Sequence, residues 1–180
     1  MAKFTIPGLS EQQGTEVAEL LQKQLSRYTD LHLTLKHVHW NVVGPNFIGI
    51  HEMLDPQVDL VRGYADEVAE RIAALGSSPK GTPGAIIAER TWDDYSLGRD
   101  CASSHLAALD LVYDGVIQDT RKNIERLEDL DLVTQDMLID HAGELEKFQW
   151  FVRAHLENEG GALVHEGERT EQGAAGAAKG

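Results

Sequence analysis

From residue 17 onward the apolar side chains fall at steps of three and four: Val17, Leu20, Leu21, Leu25, Tyr28, Leu31, Leu35 and Val38. Such spacing lays one apolar stripe along an α-helix, and it predicts a helix over about 10–40. Ser10 and Gln13 mark its start as a capping box, in which the hydroxyl and the amide each take an orphan backbone N–H. Gly44-Pro45-Asn46 breaks the chain, and a second helix is predicted to run to Gly76, where the SSPKGTPG stretch stops it. A short apolar piece from Ala85 to Glu89 predicts one or two helical turns inside a connection that ends near Ser96. Leu106, Leu109, Tyr113, Val116, Ile117, Thr120, Ile124 and Leu127 give a third long helix. After a break at 129–131, Leu138, His141, Leu145, Phe148, Val152 and Leu156 give a fourth. No stretch alternates convincingly with period two, so the expected fold class is all-α. Four long helices with one long connection, between the second and third, depart from the simple up-down-up-down bundle. Residues 1–9 read as an N-terminal extension, 10–159 as the folded domain and 160–180 as a flexible tail. The tail's Gly- and Ala-rich composition offers too little apolar area to offset ordering.

At 180 residues the chain is the size of one ordinary domain. Cys101 is its single cysteine, and no apolar run of signal-peptide length opens it, so a reducing cytoplasm is the expected compartment. Charged residues interrupt every leucine-rich segment before it reaches membrane-span length, so no membrane partner is expected. Thirty acids against sixteen Lys plus Arg give a formal charge of −14. That balance attracts cations and repels phosphate, favouring metal ions as partners over nucleic acid.

The second helix carries His51, Asp55, Asp66 and Glu70. At about 100° per residue and with His51 as zero, the other three fall near 40°, 60° and 100°, on one face. Their heights differ: His51 and Asp66 are fifteen residues apart, or about 22 Å of helix. Ligands to one ion must lie within a few ångström of it, so one copy of this helix cannot close a site. Two copies packed antiparallel about a two-fold axis near residue 61 bring His51 and Asp55 of one chain opposite Asp66 and Glu70 of the other. Val58, Ala65 and Ala69 on that face are small enough for close approach. Arg62 is placed to pair with an acid across the axis, and His39, just before the turn, to join His51. A lone histidine or a few acids on a helix usually means a solvated face. Two imidazoles and three carboxylates sharing a stripe with small apolar residues would instead be buried charges without a cation, unless a metal supplied one. Iron, manganese and zinc all suit mixed imidazole and carboxylate, and carboxylate-rich sites with open positions suit iron that changes oxidation state. None of the eight His has a Glu three residues before it, so the Glu-x-x-His motif of di-iron bundles is absent.

The stretch HWNVVGPNFIGIHEMLD followed by DEVAERI closely resembles the Dps family, the DNA-binding proteins from starved cells or mini-ferritins. A more diffuse likeness runs from the first helix to LEKFQWFVRAHLE, covering most of 10–158 and looking most like mycobacterial-type members. The resemblance implies a ferritin-like four-helix bundle with a short extra helix in the long connection. It implies His39, His51, Asp66 and Glu70 as ferroxidase ligands, with Asp55 a further ligand or a partner to one. It also implies a homo-oligomeric shell of twelve subunits built from two-fold dimers, oxidising Fe(II) with hydrogen peroxide and storing ferric mineral in its cavity. Trp40 resembles the family's site-proximal Trp, with packing on a ligand or interception of stray oxidant as its implied roles; simple core packing is the favoured alternative.

Asp136, Asp140 and Glu144 recur every four residues on the fourth helix. They read either as a solvated face or as the lining of an iron pore at a three-fold axis, and Asp136 matches a pore-lining acid of the family. Basic tails, through which many family members bind DNA, are lacking: residues 1–10 carry only Lys3, and residues 160–180 carry Arg169 and Lys179 against Glu166, Glu168 and Glu171. Weak or absent DNA binding at physiological salt is predicted. The alternative function is a nucleoid-associated compacting protein with a structural metal site; a helical oligomer with a zinc-filled interface is a third.

Overall fold

The structure is a computed structural model and describes residues 6–179; Lys3 lies outside the described residues. Helix α1, Glu11–Asn41, starts as the sequence predicts. Ser10 accepts from the Gln13 backbone N–H, and the Gln13 side chain accepts from the Ser10 N–H. Helix α2 spans Phe47–Ala74 and contains Pro56. Helix α3, Pro83–Glu89, is the short helix of the connection and begins on proline, whose missing N–H costs a first turn nothing. Helix α4 spans Ala102–Leu127, and α5 spans Leu132–Ala154 with Asp131 capping it by accepting from Val133 N–H.

Helix α1 packs chiefly on α2, and α4 on α5. Their stripes meet in one aliphatic core in which Leu21, Leu35, Leu54, Leu109, Leu138 and Leu145 are fully buried. A two-residue parallel pairing was not anticipated: β1, Val42–Val43, lies beside β2, Asp100–Cys101, tying the α1–α2 turn to the start of α4.

Within that turn Gly44 has φ +100°, a conformation that L side chains rarely adopt. It lets the chain reverse over a few residues, so that the end of α1 and the start of α2 lie side by side.

The expected flexible tail is overturned. Residues 160–179 return along the bundle and end in a sixth helix, α6, Glu171–Ala177, packed on α4 with Ala174 and Ala175 buried. The small side chains that argued for disorder permit close contact between helices. Specific polar ties do the rest: Glu171 accepts from Ser96 N–H, Gln172 donates to Ser96 C=O, Ser104 donates to Ala175 C=O, and Lys179 pairs with Asp100. Deeper in, His165 Nε2 meets Asp110 Oδ2 at 2.9 Å with both residues buried. Gln149 and Arg153 donate to the other Asp110 oxygen.

Candidate metal centre

The α1–α2 reversal places two of the sequence-predicted ligands together. The His39 and His51 rings stack with centroids 3.6 Å apart and planes 25° from parallel. His39 Nδ1 lies 2.9 Å from the His51 carbonyl oxygen, and His51 Nδ1 lies 2.9 Å from the His39 carbonyl oxygen. A carbonyl only accepts, so each Nδ1 carries the proton and donates it. In a neutral ring Nε2 then holds the lone pair, the form in which imidazole binds a metal, with the second nitrogen fixing the ring's orientation. The pairing is reciprocal, so each histidine orients the other.

Asp55 stands one turn beyond His51. Its Oδ1 lies 2.8 Å from Lys36 Nζ and 3.2 Å from His39 Nδ1. The Lys36 ammonium, chiefly through this hydrogen bond, holds the Asp55 carboxyl below the usual carboxylate range. Asp55 meets the protonated nitrogen of His39, so in this arrangement it orients the ring.

Asp66 and Glu70 do not join this group. Both are exposed on α2, and among the described residues no cation pairs with either. Arg62, exposed on the same helix, comes only to 3.8 Å from Asp59. Among the described residues no three His, Cys, Asp or Glu side chains of one chain are arranged to hold a metal ion. One chain thus keeps the predicted ligands in two separate groups, a paired-imidazole end and a carboxylate end. Facing positions in the bundle interior also pair neutral groups: Tyr113 donates to Gln57, and Gln24 donates to Thr120.

Apolar side chains surround the imidazole end. Trp40 is 69% exposed, Ile48 58% and Phe47 37%, and the Phe47 ring lies 4.9 Å from that of His51. Core packing of Trp40, the favoured alternative, is therefore corrected: it belongs to no core within its own chain. On α5, Asp136 and Asp140 are exposed, whereas Glu144 is half-buried and paired with Lys147. His141 is core: it stacks on Tyr64 and donates to Glu67. The reciprocal histidine bonds and the His165–Asp110 tie went unread in the sequence. The Gly-Pro-Asn turn between the two histidines was the available signal for the first, and the second had none.

The ferritin-like domain family matches residues 18–160. A relative described as "DNA protection during starvation protein", from Mycolicibacterium smegmatis, is 77% identical over 99% of this chain and 98% of its own. The chain belongs to the Dps family. Among solved structures, Mycobacterium smegmatis Dps is similar with TM-score 0.93 and 78% identity, covering 94% of this chain and 97% of that one. DpsA14 from Streptomyces coelicolor follows with TM-score 0.88 and 58% identity, covering 89% and 96%. The architecture of this Dps-family chain is thus the ferritin-like bundle expected from its sequence.

Proposed function

We propose that this Dps-family protein is a ferroxidase that oxidises Fe(II), its substrate, at sites shared between two chains, and stores the ferric product inside a dodecameric shell. The observation that carries this reading is the reciprocal His39–His51 pair: two oriented imidazoles with both Nδ1 atoms committed, on a chain whose remaining ligands lie a helix-length away. An antiparallel partner α2 supplies Asp66 and Glu70 to His39 and His51, with Asp55 beside them. The apolar Trp40, Phe47 and Ile48 are suited to burial in the same interface. With hydrogen peroxide as oxidant the reaction balances as 2 Fe²⁺ + H₂O₂ + 2 H₂O → 2 FeO(OH) + 4 H⁺, so both peroxide electrons are used pairwise. Asp136 and Asp140, exposed on α5, draw Fe(II) inward through a pore.

Among the described residues no helix is long and apolar enough to cross a membrane, and a cytoplasmic location is part of the proposal. DNA protection, which names the M. smegmatis relative, is served here by removing iron and peroxide. Lys179, one of the two basic residues of the C-terminal segment, is tied to Asp100, and the net charge opposes phosphate contact. The test is ferrous oxidation followed by ferric absorbance after peroxide is added to the assembled protein. His51→Ala and Asp66→Ala are each expected to abolish the fast phase while leaving helicity intact; unchanged kinetics in both rule the site out.

A further inference from the structure

A cavity of about 490 Å³ opens between α1, the connection ahead of α4, α4 itself and the C-terminal segment, and none of the proposed iron ligands lines it. Its size is that of small-molecule sites, about 300–1,000 Å³. Leu31 of α1 and Leu111, Val112 and Val116 of α4 give it an apolar lining, to which the connection adds the rings of Trp92 and Tyr95. The rings are held in place. Trp92 Nε1 donates to Asp30 at 2.8 Å, the Arg27 and Arg90 guanidiniums lie 5.6 and 5.9 Å from the Trp92 ring centre, and the Tyr95 hydroxyl is 3.0 Å from His105 Nδ1. Such ties lower the ordering cost that a binding site would otherwise meet.

Gly115 also lines the cavity, in the middle of α4. Glycine is among the least favourable residues in a helix interior, and neither backbone conformation nor crowding calls for it here: its φ is not positive, and an added Cβ would meet nothing within 4 Å. Its effect is to keep the cavity open on the α4 side. The charges then select the occupant. Five carboxylates line the cavity, Asp30, Asp93, Asp94, Asp119 and Glu171, against two guanidiniums, Arg27 and Arg169. Arg27 and Lys122 pair with Asp119, and Arg90 pairs with Asp30 and Asp94. Among the described residues Asp93 and Glu171 enter no salt bridge, and neither does Arg169, so negative charge stays in excess at the cavity of a chain whose formal charge is −14.

We propose that this cavity binds an amphipathic amine, a small organic molecule whose alkyl or aryl body lies on the apolar lining and whose ammonium is held by Asp93 and Glu171. The inference is independent of the ferroxidase reading. An anion of the same shape would meet five carboxylates, with Arg169 alone left to pair it. A neutral analogue would gain only the apolar contact. Residues 169–172 form one side of the cavity, so a bound amine also joins the C-terminal segment to α1 and α4.

The test titrates the assembled protein calorimetrically with 2-phenylethylammonium and, separately, with 3-phenylpropionate, which carries a carboxylate on the same body. One amine is expected per chain, bound at least tenfold more tightly than the carboxylate, with slower hydrogen exchange at residues 169–172 on saturation. Gly115→Leu fills the open space beside α4 and should weaken the amine at least tenfold while Tm stays at or above that of the parent. Asp93→Asn should weaken it several-fold and Arg169→Gln should tighten it; both positions are exposed, so the fold survives either change. Equal affinity for amine and carboxylate, parent affinity in Gly115→Leu, or no amine binding at millimolar concentration by either heat or hydrogen exchange overturns the proposal. The two charge variants decide even where Gly115→Leu folds poorly, since affinities that fail to move in opposite directions overturn it as well.

Discussion

A site divided between two chains makes a numerical prediction that a site within one chain does not. His51→Ala removes the imidazole half and Asp66→Ala the carboxylate half, so each homodimer has two dead sites. In a heterodimer of the two variants, one site combines both lesions. The other combines the intact His39–His51 pair of the Asp66→Ala chain with the intact Asp66 and Glu70 of the His51→Ala chain. Random pairing makes half the dimers mixed, so roughly a quarter of all sites regain full ligation in an isologous arrangement. Co-expressing the two variants should thus restore about a quarter of the parent ferrous-oxidation amplitude from two inactive parents, measured as ferric absorbance after peroxide addition. The separation enforces this: fifteen residues of α2 amount to about 22 Å, beyond what side chains from one straight helix can bridge. No recovery in a verified mixed oligomer would refute the shared site, and recovery far above a quarter would require pairing to be non-random.

His165→Ala should remove a charged hydrogen bond worth about 1.5–3 kcal/mol. Gln149 and Arg153 still hold Asp110, so the expected result is local release of residues 157–179, seen as faster proteolysis there with little change in global unfolding; equal cleavage of both proteins counts against the tie. Gly44→Ala meets no atom within 4 Å, so its cost is conformational, about 1–2 kcal/mol. A fall in Tm should accompany slower ferrous oxidation, because the same turn sets the histidine pair; parent behaviour in both would show that the turn does not set it. Burial, the larger effect, holds His141 below the ordinary histidine range despite Glu67, and likewise holds His105 low. The unfolded chain protonates these groups from about pH 6.5 downward while the fold resists. Their stabilisation is therefore complete above that pH and is lost as pH falls toward the folded values. Urea midpoints from pH 7.5 to 5 should decline, and His141→Gln should flatten the slope; a flat parent profile refutes the assignment.

The four helices were legible because each carries a long apolar stripe, and α1 also carries its cap in the Ser10–Gln13 pair. The ligand face of α2 was legible for the same reason, since helical geometry alone fixes which residues share an angle and which share a height. Helix α6 was not. Its Gly and Ala residues bury little area, and its position depends on single polar contacts to Ser96, Asp100, Ser104 and Asp110, far away in sequence. Local pattern carries no trace of such contacts. Trp40 misled for another reason: a tryptophan beside a helix end suggests a core, but the apolar surface it belongs to faces outward from the chain.

That outward surface and the two separate groups of ligands share one physical logic. Charges held close together without water repel unless a cation sits among them, so a complete set of ligands preformed within a lone chain would oppose its own folding. Dividing the set removes the conflict: the imidazoles are hydrogen-bonded to each other's backbone carbonyls, and Asp66 and Glu70 are exposed on α2. In the proposed dimer the ligands come into proximity as Trp40, Phe47 and Ile48 are buried against a second copy, so apolar burial drives the step that creates the metal affinity. In the proposed shell this couples chemistry to container. A free chain has no site at which to oxidise iron, and the ferric product forms where a cavity exists to receive it.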